Sequence, residues 1–140
     1  MPDLDPDLMP FTRKLGLTVT RSEKDKVAAE LTVTEDVCTT GRIMHGGAIM
    51  AFADSLGAIG AYLNLPEGAK ATTTIESKTN FMRAAPLGSK VTAECVPVHL
   101  GRRMSVWQTT LTNDAGKTIA MVTQSQMVSV SYTHLRAHET

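Results

Sequence analysis

The chain has 140 residues, 42% hydrophobic and 20% charged, which is the size and composition of a single ordered globular domain and excludes a disordered chain. Fourteen basic residues balance fourteen acidic ones, and no basic run exceeds two residues, as at Arg102-Arg103. No global field therefore draws nucleic acid or an anionic membrane to it.

In chain order, the acidic and Pro-rich start "MPDLDPDLMPFTRKLG" lacks the basic region and apolar core of a signal peptide. It predicts one or two helical turns around "LMPFTRKLG", ended by Gly16. Residues 17–33 read as two strands about a charged turn, with Leu17, Val19, Val27, Ala29, Leu31 and Val33 in alternation. Residues 34–44 read as a loop with turn chemistry at Thr39, Thr40 and Gly41. A long apolar helix follows over about 45–63 and is stopped by Pro66 and Gly68. Its small residues and Asp54 make it a buried core helix rather than a membrane span. Four strands come next, "ATTTIESKTNFMRA", "SKVTAECVPVHL", "RRMSVWQTTLTN" and "KTIAMVTQSQMVSV", separated by turn residues. The polar tail "SYTHLRAHET" has nothing to pack against and is expected to be non-native or dispensable, which leaves residues 1–130 as one domain. Cys38 and Cys95 make no disulfide framework and suit reduced thiols in a cytoplasmic protein. Four histidines without a cysteine or acid cluster predict no metal site.

The pattern is α+β: two strands, one buried helix and four antiparallel strands, a sheet of about six strands that can curl around the helix. The outer sheet face then needs cover of its own, which favours a dimer or a higher oligomer.

Two features of the helix carry chemistry. It opens on His45-Gly46-Gly47, and a helix start presents free N–H groups and a positive dipole end. Glycine lets a ligand approach that backbone, as an oxyanion hole requires, although a Gly-Gly pair also serves close packing against a strand. The second feature is Asp54, which has Met50, Ala51, Gly57 and Ala58 one turn away and so no ion partner on its own helix. A buried acid is costly unless hydrogen-bonded, which makes this one a candidate functional group beside the plainer role of bonding a Ser or Thr hydroxyl. Gly46 and Asp54 are eight residues apart, hence roughly 12 Å along the axis. One small reacting group cannot touch both in one chain. Two copies of the helix, antiparallel across a two-fold axis, would bring them together.

"GRIMHGGAIMAFADSLGA", "TTTIESKTNFMRAAPLG" and "LGRRMSVWQTTLTNDAGKTIA" together resemble the hotdog-fold thioesterases of the PaaI type, over residues from about Phe11 to Val130. The resemblance implies a long helix wrapped by a curved antiparallel sheet, a dimer with a continuous sheet often paired again into a tetramer, and hydrolysis of an acyl-coenzyme A thioester without metal or prosthetic group. It places the family's acid on Asp54, as general base or as nucleophile. It places the backbone donor on Gly46 and the water-positioning hydroxyl on Thr74, with Thr73 as the alternative. His45 is expected to orient the helix start. One departure is Thr39, where family members often carry Asn; a hydroxyl offers no matching N–H donor. Gly47, Arg83, Arg102, Arg103 and Lys90 are candidates for substrate binding, the cations for the coenzyme A phosphates. The rival readings are a non-catalytic acyl-CoA binder and, ranked last, a hotdog dehydratase.

Overall fold

A computed structural model describes residues 9–130 of the chain; the expectation about the tail lies outside those residues. Helix α1, Pro10–Leu15, starts on a proline and closes on Gly16 at φ 81°, the usual asymmetry of helix ends. Strands β1, Thr18–Glu23, and β2, Lys26–Thr32, form the expected hairpin. Residues 34–44 are more ordered than a loop. A 3-10 turn, Glu35–Val37, leads into a short ladder of β3, Cys38–Thr39, and β4, Ile43–Met44. The chain reverses there because Gly41 and Arg42 both take positive φ, 81° and 57°. The ladder is then tied down by Met44 N–H to Ala85 O at 2.8 Å and His45 N–H to Val37 O at 2.8 Å. These two bonds fix where the long helix begins.

Helix α2 runs Gly46–Leu63, and β5, Ala71–Phe81, follows it. Strands β6, Lys90–Leu100, β7, Met104–Thr112, and β8, Thr118–Ser129, complete the main sheet. Its order is β1-β2-β6-β7-β8-β5, antiparallel throughout. The fold is thus the α+β hotdog arrangement, one long helix against a six-stranded antiparallel sheet.

Ile49, Phe52, Ala53, Leu56, Ile59 and Leu63 of α2 recur at helical spacing and are buried. They meet Val27, Ala29, Val91, Ala93, Cys95, Trp107, Leu111 and Val122 from the inward positions of the strands. Trp107 is fully buried, and its indole N–H donates to Ser105 Oγ at 2.8 Å. It lies flat on Gly60, where a Cβ would come within 2.7 Å of the ring. Glycine here sets how closely helix and sheet approach. Helix α1 is pinned to α2 by a 2.8 Å hydrogen bond between the Thr12 and Ser55 hydroxyls.

Two surfaces remain open. Met50 is exposed, and Ala51, Asp54, Ala58 and Tyr62 are only half-buried, so one face of α2 is left by its own sheet. On the outer sheet face, Glu76, Lys78 and Asn80 lie in register with Ser125, Thr123 and Met121. Apart from Met121, these side chains are polar. The exposed apolar residues Val96, Val98, Leu100 and Met104 lie instead around the β6–β7 turn.

Burial pushes the Cys95 thiol from its ordinary 9.0 to about 11, against a smaller opposing effect of Thr109, its cross-strand neighbour on β7. The folded chain thus holds a proton that the unfolded chain releases first. The stability this contributes is present below pH 9 and lost as pH rises towards about 11. Urea midpoints measured from pH 8 to pH 11 should fall more steeply for the wild type than for Cys95→Ala, by on the order of 2 kcal/mol in stability.

Candidate active site

The start of α2 is built by His45. Its backbone is extended, φ −63° and ψ 137°, and its Nδ1 accepts the Gly47 N–H at 2.7 Å. The imidazole thus takes the N-cap role that a Ser or Asp usually fills. A Cβ on Gly47 would stand 2.9 Å from that nitrogen, so the second glycine exists to let the ring fold back. The Gly47 N–H is therefore committed to His45. Gly46 differs: among the described residues no acceptor takes its N–H. It opens on a groove of about 370 Å³ lined by Thr39, Ile49, Phe81, Met82 and Arg83 among others. The Phe81 ring lies 3.3 Å from where a Gly46 Cβ would be.

Asp54 stands two turns along the same helix and is half-buried. Its Oδ1 accepts the Thr74 hydroxyl at 2.7 Å. Behind Thr74 are two carboxamides of β8. Gln126 Nε2 donates to Thr74 Oγ1 at 2.6 Å and to Gln124 Oε1 at 2.7 Å. Gln124 Nε2 donates to the Ala53 carbonyl at 3.0 Å, and Thr72 Oγ1 donates to Gln126 Oε1 at 3.0 Å. Both glutamines are 1% exposed. Gln124 reaches the helix because residue 57 is glycine; a Cβ there would lie 2.2 Å from its Nε2.

The cations are not gathered in one place. Arg83 shares the groove of Gly46 and Thr39, and its guanidinium donates to Thr118 O at 2.9 Å. Arg102 and Arg103 line a different depression of about 400 Å³ with Pro66, Glu67 and Val128. This lies at the Asp54 end of the sheet, since Val128, two residues from Gln126, donates its N–H to Arg103 O at 2.8 Å. Lys90 belongs to neither. It pairs with Glu30 at 2.9 Å across β6 and β2.

The sequence reading did not single out Gln124 and Gln126. The signal was present in "TQSQM": both occupy the inward register set by Ala120 and Val122, where apolar residues belong. A carboxamide in that register has to find partners.

A long helix seated on a six-stranded antiparallel sheet is the architecture of the hotdog class. Residues 41–120 match the thioesterase superfamily, and the chain belongs to that family of thioester-hydrolysing enzymes. The proofreading thioesterase EntH of Klebsiella pneumoniae is 32% identical over 104 residues, 74% of each chain. The 1,4-dihydroxy-2-naphthoyl-CoA thioesterase 2 of Arabidopsis thaliana is 32% identical over 97 residues, which span 69% of this chain and 60% of that protein. Among solved structures, a thioesterase of Haemophilus influenzae superposes with TM-score 0.78 at 26% identity, covering 86% of this chain and 83% of that one. A mutant of the phenylacetic acid degradation protein PaaI of Thermus thermophilus gives 0.77 at 25%, covering 84% and 97%.

The capping role of His45 is directly testable. His45→Ala removes the acceptor of the Gly47 N–H and should cost about 1 kcal/mol of stability, whereas His45→Asn, which can cap, should recover most of it. Thermal melts of the three proteins measure this.

Proposed function

We propose that the protein hydrolyses acyl-coenzyme A thioesters at a site shared by two protomers. Asp54 of one protomer activates water or attacks, and the partner's Gly46 N–H polarises the thioester carbonyl. The observation that carries this reading is the pair on α2: an unengaged donor at Gly46 and a carboxylate oxygen of Asp54 eight residues on, too far apart to serve one carbonyl within a chain. The acyl-CoA substrate class is supported by the named activity of the Arabidopsis relative.

Two features favour the pairing. Strand β5 is the edge of the main sheet, eleven residues long, and among the described residues no strand pairs with its outer side. Ile75 at the middle of β5 is 52% exposed. A free edge of this length is a template for a second strand. Antiparallel pairing of β5 with the partner's β5 would bring the open faces of the two α2 helices together, where Ala51 and Ala58 allow close approach. Each Asp54 would then face the helix start of the other protomer, giving two equivalent sites. The apolar patch around Val98 and Leu100 is where such dimers would pair again into a tetramer.

In this site the oxygen of a water molecule, losing its proton to Asp54, adds to the thioester carbon. The oxyanion is held by the partner's Gly46 N–H, with the helix dipole behind it. The C–S bond then breaks, and the coenzyme A sulfur takes up the proton. In the nucleophilic variant the Asp54 carboxylate itself attacks the thioester carbon, the C–S bond breaks and the coenzyme A thiolate leaves; water then cleaves the anhydride to the free acid and the Asp54 carboxylate, and the proton released goes to the thiolate. Thr74 acts through the carboxylate it holds, and Thr39 lines the carbonyl side of the groove. Arg102 and Arg103 from the Asp54 side and the partner's Arg83 from the Gly46 side form the phosphate rim. Lys90, tied to Glu30, stands outside it. The chemistry needs no cofactor beyond the coenzyme A of the substrate, and the proposed location is the cytoplasm.

Release of free thiol from short, long and aryl acyl-CoAs should be seen with the wild type and fall at least about 100-fold in Asp54→Asn. Binding without turnover would leave the non-catalytic acyl-CoA binder. Sharing of the site has its own test. Gly46→Pro deletes the N–H at a position where proline suits a helix, and the extended His45 accommodates it. Mixing the two dead variants should restore about a quarter of wild-type activity, because half the dimers are mixed and each holds one intact site. No recovery would place both groups in one chain. Arg102→Ala should raise KM with kcat little changed.

A further inference from the structure

The hydrogen bonds around Asp54 have a direction that the chemistry of their ends fixes. A backbone carbonyl can only accept, so Gln124 must turn its Nε2 towards Ala53 O. Its Oε1 then faces Gln126, which must answer with Nε2. The second proton of that same NH2 group goes to Thr74 Oγ1 at 2.6 Å, and the remaining Gln126 Oε1 accepts from Thr72. Thr74 is thereby an acceptor on one side. Its single proton has one strong acceptor left, Asp54 Oδ1 at 2.7 Å, the approach to Gln124 Oε1 being 3.5 Å. The chain begins at the carbonyl of residue 53 and ends on the side chain of residue 54, having crossed β8 and β5.

We propose that Gln126, set in place by Gln124, is a positioning residue for the Asp54 carboxylate: it forces the Thr74 proton onto Oδ1 and so leaves Oδ2 as the oxygen that meets water or thioester. This rests on the hydrolytic reading of Asp54 above and adds to it an assignment of the two oxygens and the residue that makes it. Plain core packing does not account for the arrangement. An apolar pair at 124 and 126 would fill the same volume without the cost of burying two carboxamides. The carboxamides are also satisfied as one connected set, with every donor of Gln126 used in one direction.

Gln126→Met keeps length and burial and removes the donor. It should lower kcat about tenfold with KM unchanged, as loss of orientation does. In a Thr74→Val background, where the relay is already cut, it should lower kcat no further. Losses that multiply across the two variants would mean Gln126 acts through packing, and overturn the proposal. A second readout does not depend on turnover. In 15N-labelled wild-type protein, the Gln126 carboxamide protons should exchange slowly with solvent. One of the pair should shift in Thr74→Val and stay in place in Thr74→Ser, which retains the hydroxyl. A Gln126 signal indifferent to Thr74→Val would sink the relay, including where Gln126→Met fails to fold. If the wild type cleaves no acyl-CoA while the carboxamide responds as expected, the hydrolytic reading falls and the relay stands.

Discussion

An α-helix rises about 1.5 Å per residue, and this rigid spacing governs the functional architecture. It puts the donor at Gly46 and the acid at Asp54 on one rod, at a separation no side-chain motion can close. A short loop between the two could have folded them onto one carbonyl. A helix cannot, and so the proposed chemistry needs two rods side by side. The free edge of β5 and the small residues on the open face of α2 acquire their meaning from that requirement. What looks incomplete in one protomer, an apolar helix with one side uncovered, is the surface on which the proposed reaction would depend.

The same rod also explains why helix position must be exact at both ends. At the start, the ladder of β3 and β4, the Ala85 and Val37 carbonyls and the His45 cap hold Gly46 against the groove. Midway, Gln124 grips the helix backbone at Ala53. Further along, Trp107 lies on Gly60 and sets the depth. Each contact joins α2 to a different part of the chain, so sliding or rotating the helix would break several at once. A hydrogen bond in water contributes little net stability, but its loss inside a core leaves an unsatisfied group. These contacts therefore specify position more than they add stability.

Much of this was legible in the residues. Alternation gave the strands, and the apolar run over residues 45–63 gave the helix. Gly46 and Asp54 declared themselves because they are the wrong residues for a plain core helix. Strand order was not legible: β5 follows the helix in sequence but pairs with β8, some fifty residues on, and no local pattern encodes that partner. The β3–β4 ladder was hidden because its turn rests on positive φ at Arg42, which residue type does not announce. The arginines and Lys90 could be counted but not placed, since charge alone does not tell a phosphate contact from the ion pair that Lys90 makes with Glu30. Gln124 and Gln126 break a strand's inward register as plainly as Asp54 breaks the helix, but a polar residue on a strand is ordinary unless its facing is known.

Gly57 and Gln124 meet at a distance that leaves no room for a single added carbon. They lie on different elements, sixty-seven positions apart, yet they occupy one volume. A lineage of this protein could not exchange either one freely. An alanine at 57 would push the end of the Gln124 side chain off its hydrogen bonds to Ala53 and Gln126, and a shorter residue at 124 leaves space that a larger residue at 57 can refill. The two positions should therefore drift through related sequences as a linked pair, large with small, and a homologue that breaks the pairing would reveal a helix seated at a different height on its sheet.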